Sequence, residues 1–477
     1  MRRVRLHILL GMLCCALFLS ACGRRRSEDS IYLDDLDHML YVMQNNFALF
    51  DVAYWARGVD IYAIVDTVRD AVITDPGMTT NEFFDVLYRE FEPLWGIGHF
   101  HIVDSHHYDY LVFGGGRFSR QHWYSQEAHL RLRAPHVLAF YAQLHDHVFD
   151  VDAWLDDLFE PLAGLTEQEI QVFYAEFLER FIMRGYDELA EDLLHSLINL
   201  DAEEFQRLLS YTDEALANNV TTRILEEERV AYLSIDSFME YPIPFHEERQ
   251  IHQFYNEIRD FDHLIVDLRF NQGGIENWFF RAVLEPNIDR EIVMEQFVFF
   301  AYGEYAAHYT GIRRGFTGGR RLVDRAHLTE NHRPIADVLA SYDLPELNLA
   351  DMARMDYGFR NLTTVRPRAH YPDFGTERTF GGQIWLLTSP QTGSAAQISA
   401  WAARDTGFAT LVGDISGGNF GGERTIVTLP NSGIAFIMDL NYVTDRNGRP
   451  LEAGTIPDVF SHDGLTALET VLALIAE

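Results

Sequence analysis

The sequence predicts an α/β protein, with a layered core in its C-terminal half that follows an N-terminal helical region and a helix-rich insert. Two observations carry this reading. From about Arg229, short β-rich runs (VAYLSI, HLIVDL, IWLLT, TLVGD, TIVTLP and IAFIMDL) are separated by helical segments. Strands that are apolar on both faces and alternate with helices build a sheet covered on its two sides. Upstream of that point the apolar residues recur at helical spacing instead.

The first residues, MRRVRLH, are cationic and lead into the apolar run ILLGMLCCALFLS. That run is too short for a stable membrane-spanning helix, so residues 1–22 are expected to be a signal peptide. It closes on Leu19-Ser20-Ala21-Cys22, which looks like a bacterial lipobox, with Cys22 as the lipidation site; an ordinary signal peptide or an uncleaved anchor is the alternative. Residues 23–30 then form a tether, in which Arg24, Arg25 and Arg26 supply a basic collar against an anionic membrane. Either way the body of the protein is expected outside the cytoplasm, at the cell surface or in the periplasm.

Residues 31–103 read as a helical cap region. Its best-marked helix opens at Thr79, where Thr79 and Glu82 form a capping box and Met78 is placed to staple onto Phe83. Residues 104–222 read as a helix-rich insert, with a Gly114-Gly115-Gly116 loop, capping boxes at Thr166/Glu169 and Asp201/Glu204, and a stop at Gly185. Residues 223–477 are the α/β core, interrupted by an irregular stretch from about Tyr302 to Arg378.

Composition excludes several functions. The formal charge is −34, from 72 acidic against 38 basic residues, which argues against nucleic acid as a partner. Cys14 and Cys15 fall in the segment expected to be removed, so no disulfide can form in the mature chain. Every basic residue is arginine and the chain has no lysine, so no mechanism can use a lysine base.

The chemistry-bearing segments begin with HLIVDLRFNQGG, a buried strand running into a turn with adjacent glycines, Gly273 and Gly274. Such a turn can point main-chain N–H groups into open space, as an oxyanion hole requires; the plain alternative is a tight strand-to-helix turn. The second segment, GGQIWLLTSPQTGSAAQISAWAARDTGFATLVGD, is a strand, a loop, a small-residue helix and another strand. Ser394 opens the helix. It is ordinarily a cap there, but the same place would favour an anion and let the Ala395 N–H join the glycine turn.

Taken together these segments resemble the tail-specific proteases, the C-terminal processing peptidase superfamily known as serine peptidase family S41. The family pattern appears here, in order, as DLRFNQGG, TGSAAQ, LVGD and GTIPDV, while VAYLSIDSF is similar to its leading strand and the helices ending in WGIGH to its cap. The resemblance implies a layered ClpP/crotonase-like core and a serine peptidase with Ser394 as nucleophile and Gly273, Gly274 and Ala395 as the oxyanion hole. It implies no cofactor, and peptides or unfolded proteins as substrates. Many members carry a PDZ domain; none is recognisable in this sequence.

The departures from the family decide the expected mechanism. Familiar members place a lysine base shortly after the V-G-E strand end, where this chain has SGGNFGGE, with Asn419 at the lysine position. An amide has no basic lone pair at neutral pH. A tricorn-like branch instead uses a histidine from a G-D-x-H element together with a glutamate near the closing motif. Gly96-Ile97-Gly98-His99 resembles that element, which implies His99 as base and Glu452 as its orienting carboxylate, although the spacing from Glu452 to Pro457 is one residue short of the pattern.

Other readings stay open at this point. His99, His101, His106 and His107 together have the ligand type, though not the matched acidic or thiol partners, of a metal site, and no metal is expected. Arg313, Arg314, Arg320 and Arg321 are either a solvated loop or a carboxylate-binding patch. A different class of function is a catalytically inactive lipoprotein that keeps the fold and binds peptides or partner proteins.

Overall fold

The structure is a computed structural model. It describes residues 28–113, 130–144, 172, 179, 219–238, 246–275, 277–301, 303–305, 333–367, 380–419, 424–461 and 464–477. The lipobox with Cys22, the arginine collar, the Gly114–Gly116 loop, the two insert capping boxes, Gly185 and the four arginines between 313 and 321 lie outside the described residues.

The chain begins with helices α1 (Glu28–Asn46), α2 (Val52–Arg57), α3 (Ile61–Thr74) and α4 (Thr80–Glu90). The capping box at Thr79 is formed as expected: the Thr79 hydroxyl accepts from the Glu82 N–H, and the Glu82 carboxylate accepts from the Thr79 N–H at 2.7 Å. The apolar face that follows, Phe83, Phe84, Leu87, Phe91 and Leu94, is buried. A two-residue strand β1 (His101–Ile102) and helices α5 (Ser105–Phe113) and α6 (Pro135–Leu144) follow.

The core then runs through β2 (Val220–Glu226), β3 (Val230–Ile235), α7 (His246–Glu257), β4 (His263–Asp267) and β5 (Ile292–Phe300). After β6 (Arg333–Pro334), α8 (Ile335–Ser341) and β7 (Tyr357–Val365) come β8 (Gln383–Thr388), α9 (Ser394–Asp405) and β9 (Thr410–Gly413). The chain closes with β10 (Arg424–Thr428), β11 (Ala435–Asp439), β12 (Asn441–Asp445), β13 (Val459–Phe460) and α10 (Ala467–Ala476).

Three sheets result. The largest has the order β13-β9-β8-β4-β3-β2, parallel throughout except for β2 at its edge. A four-stranded antiparallel sheet has the order β12-β5-β7-β6, and a three-stranded one the order β1-β11-β10. The six runs read as strands are strands, and the fold is mixed α/β. The stretch from Tyr302 to Arg378, expected to be irregular, differs: it contains β6, α8 and β7, and β7 pairs with β5 over nine residues, from Ile292↔Val365 to Phe300↔Tyr357.

The apolar residues divide into two main clusters. One joins α1–α6 to β10, β11 and part of the four-stranded sheet, so the N-terminal helices share a single core with a hairpin from the far end of the chain. The other fills the space between the parallel sheet and α7 and α9. Loops from both clusters meet at the C-terminal ends of β4 and β8. Adjacent parallel strands release their following turns side by side at that end, where open α/β sheets place their sites.

Candidate active site

The turn after β4 and the loop after β8 are laced together by main-chain and short polar side-chain contacts. Asn271, fully buried, donates from Nδ2 to the Ile235 carbonyl at 3.0 Å, and its Oδ1 accepts from the Gly273 N–H at 2.8 Å. Its carbonyl accepts from the Gly393 N–H at 3.1 Å. From the other side Thr392 Oγ1 donates to the Leu268 carbonyl at 2.8 Å, and the Ser389 hydroxyl donates to the Arg269 carbonyl. One asparagine thus ties β3, the glycine turn and the residue before Ser394 into one unit.

That contact is close. A Cβ on Gly273 would lie 2.6 Å from the Ala395 nitrogen and 2.8 Å from Ser394 Cβ, and Gly273 has φ +99°. Only glycine lets the turn approach α9 this far. Because the Gly273 N–H is engaged by Asn271, the unengaged donors among the expected oxyanion group are Gly274 and Ala395; neither N–H meets an acceptor among the described residues.

Ser394 does not cap α9. Gly393 occupies the cap position with no side-chain bond, and Ser394 has φ +51°, a left-handed conformation that is strained for a residue with a Cβ. Its Oγ lies 3.0 Å from His99 Nε2. His99, 295 residues upstream, also has φ +51°. It is held there by its neighbours: Phe100 is buried among Phe47, Phe91 and Phe436, and a Cβ on Gly98 would meet Leu49 at 2.5 Å and Asp439 at 3.2 Å.

The partner of the imidazole on its other edge is not Glu452. His99 Nδ1 lies 3.0 Å from Asp439 Oδ2 and 3.2 Å from Oδ1, so the Nδ1–H donates to that carboxylate and Nε2 keeps its lone pair for the serine hydroxyl. Strand register explains this. The antiparallel pairing His101↔Ile437 and Ile102↔Phe436, continued by two residues, sets Asp439 opposite His99, and the Asp439 N–H donates to the Gly98 carbonyl at 2.9 Å. Glu452, on the short helical turn Leu451–Ala453, directs Oε1 at the Gly98 N–H (2.9 Å) and the Asn419 N–H (3.2 Å) instead.

The histidines beside the site form a hydrogen-bonded pair. His101 Nδ1–H donates to the His99 carbonyl at 2.9 Å, which leaves His101 Nε2 to accept from His107 Nδ1–H at 2.8 Å, and the two rings stack. Burial, and then the neighbouring His107, push the His101 pKa down to about 3. Among the described residues no group of three or more His, Cys, Asp or Glu side chains is placed to hold a metal ion.

Residues 229–461 match the model of peptidase family S41. That stretch is an S41 peptidase domain. It contains Ser394, the glycine turn, Asp439 and Glu452, while His99 comes from the helical region before it. Among solved structures the chain is similar to mature CPAF complexed with lactacystin (11% identity, 94% of this chain and 97% of that chain, TM-score 0.47). It is also similar to a lipoprotein from Streptococcus agalactiae (11% identity, 94% and 96%, TM-score 0.36) and to the photosystem II D1 C-terminal processing protease (14% identity, 55% and 53%, TM-score 0.30). The remaining S41 motif residues act as struts: in GTIPDV, Asp458 accepts from the Leu411 N–H at 2.9 Å, and in TGSAAQ, Gln397 donates to Thr455 Oγ1 at 3.0 Å.

Proposed function

We propose that the protein is a serine peptidase working through Ser394, His99 and Asp439. The observation that carries the reading is the single line of contacts from Asp439 to His99 Nδ1 (3.0 Å) and from His99 Nε2 to Ser394 Oγ (3.0 Å). In the first step His99 Nε2 takes the hydroxyl proton as Ser394 Oγ attacks a peptide carbonyl, and the N–H groups of Gly274 and Ala395 receive the oxyanion. The imidazolium then passes its proton to the leaving amine, giving an acyl-enzyme. Water, deprotonated by the same imidazole, releases the acid and restores the serine.

Asp439 keeps the imidazole in the tautomer with Nδ1 protonated and stabilises its cation, the part played by the carboxylate of serine triads generally. Substrates are peptides or unfolded proteins. The N-terminal pattern supports export and anchoring through lipid on Cys22, at the cell surface or in the periplasm.

A fluorophosphonate probe tests the chemistry. Labelling at Ser394 that is lost in Ser394→Ala and in His99→Ala is the expected result. Absence of label under conditions that tag other serine peptidases would favour the inactive, peptide-binding lipoprotein. Metabolic labelling with an alkyne fatty acid, lost in Cys22→Ser, tests the anchor.

A further inference from the structure

Glu452 is buried, and its Oε1 is shared by two N–H groups from separate loops, those of Gly98 at 2.9 Å and Asn419 at 3.2 Å. One loop carries the base, and the other supports the nucleophile through a main-chain hydrogen bond. Gly98 directly precedes His99, and both have left-handed backbones, at φ +55° and +51°. Asn419, at φ +56°, directly follows Gly418, whose carbonyl accepts from the Ser394 N–H at 3.0 Å. A Cβ on Gly418 would lie 2.4 Å from the Glu452 carbonyl oxygen, so the Glu452 main chain also presses on the loop under the nucleophile.

Three non-glycine residues in sparsely populated conformations, His99, Ser394 and Asn419, thus sit in one hydrogen-bonded circuit. Strained backbone of this kind persists only where its surroundings over-determine it. A carboxylate oxygen accepting two N–H bonds is a strong fastener because the bonds are charge-assisted. The imidazole has no need of Glu452 as an ionic partner, since Asp439 already takes its Nδ1–H.

We infer that Glu452 is a positioning residue: it fixes the separation between base and nucleophile by holding the main chain next to the base and the loop beneath the nucleophile on one acceptor oxygen. This rests on reading Ser394 and His99 as the reacting pair. It differs from a triad role because what it demands of Glu452 is an acceptor at the right place, not a charge beside the ring. Glutamine keeps such an acceptor, alanine removes it, and aspartate keeps the charge but withdraws it by one methylene.

The test uses the full chain and a fluorophosphonate probe, measuring the maximal labelling rate, the half-saturating concentration and the pH profile, with crystal structures of the variants. Glu452→Gln is expected to label within about tenfold of wild type with an unmoved pH profile. Glu452→Ala is expected to lose roughly 100-fold in maximal rate with half-saturation little changed, the scale of a displacement near 1 Å between reacting groups. Its crystal structure should show the Nε2–Oγ hydrogen bond broken.

If Glu452→Ala keeps that hydrogen bond and its rate, the inference falls. It also falls if Glu452→Gln drops as far as alanine and shifts the acid limb of the pH profile, because a charge role would then be at work. Should the alanine variant not fold, Glu452→Asp must show the loss, and a full-rate aspartate variant overturns the idea. A wild-type chain that takes no label sinks the peptidase reading; the variant structures then still decide this one by whether the ring-to-hydroxyl contact depends on the acceptor.

Discussion

His99 Nδ1 rests 3.0 Å from Asp439 Oδ2, across a gap of 340 residues in the chain, because β1 and β11 lie side by side in antiparallel register.

Asp439→Asn should therefore be the most damaging isosteric change in the site. The amide can present its NH₂ to the ring and turn the tautomer over, which puts the proton on Nε2 where the serine needs a lone pair. A fall of about 10³–10⁴ in labelling rate is expected, with Ser394 and the melting temperature little disturbed. A loss under tenfold would count against Asp439 as the orienting carboxylate.

Gly273→Ala and Ala395→Gly should behave oppositely although the residues touch. The first drives a methyl to 2.6 Å from the Ala395 nitrogen at a backbone angle that suits glycine, and a loss of roughly 10²-fold or more in rate is expected as the oxyanion donors are displaced. The second keeps the N–H and removes only a buried methyl, so rate should fall much less while stability drops by about 1 kcal/mol. Labelling kinetics and urea melts on the pair separate the two effects.

Much of this site was legible because its parts are contiguous words in the sequence. DLRFNQGG holds a strand end and the glycine turn, and TGSAAQ holds the end of a loop and the start of α9 with Ser394, so local patterning was enough. Asp439 was missed because it reads as the tail of a buried strand, IAFIMDL, and its partner is set by pairing between distant strands. The available signal was a carboxylate at the end of an apolar run: fully buried at 0% exposure, it needs a partner. Glu452 was chosen for sequence proximity to GTIPDV, which brought it to the right neighbourhood and the wrong group. Strand β7 was hidden for a related reason, since YGFRNLTTV carries polar residues on its open face and only its cross-strand contacts with β5 reveal it.

Acid should loosen the fold around His101. Its ordinary pKa of 6.5 falls to about 3 in the folded chain, through burial first and His107 second, and His107 moves in the same direction. The unfolded chain therefore binds a proton below about pH 6.5 that the native chain refuses, so stability is complete above that pH and declines as pH drops towards 3. The His101 contribution to the slope is at most about 1.4 kcal/mol per pH unit. Urea denaturation at pH 7 and pH 5 should show a smaller loss for His101→Gln than for wild type; equal losses would contradict the assignment.

The pair beneath the glycine turn should be intolerant of half-removal. Arg269 is fully buried and bonds Asp267 through Nε and Nη2, at 3.0 and 2.6 Å, with Glu179 at 2.8 Å on Nη1. Burial alone would raise the Asp267 carboxyl, but the guanidinium and its hydrogen bonds hold it below the usual carboxylate range. Arg269→Met strands that charge and is expected to cost about 3–5 kcal/mol, read as a lower urea midpoint. A variant as stable as wild type would show that the site relaxes or hydrates.

The three-stranded sheet that pairs β1 with β11 carries a biological consequence. A ribosome must pass residue 439 before the last of the three side chains proposed to react exists, and that hairpin must then zip onto a segment made more than 300 residues earlier. Until both cores have closed on each other, the chain carries an ordinary alcohol and an idle ring. On the proposed mechanism, a nascent or half-melted copy therefore lacks the completed Ser394–His99–Asp439 line, and peptide cleavage would begin only with complete assembly.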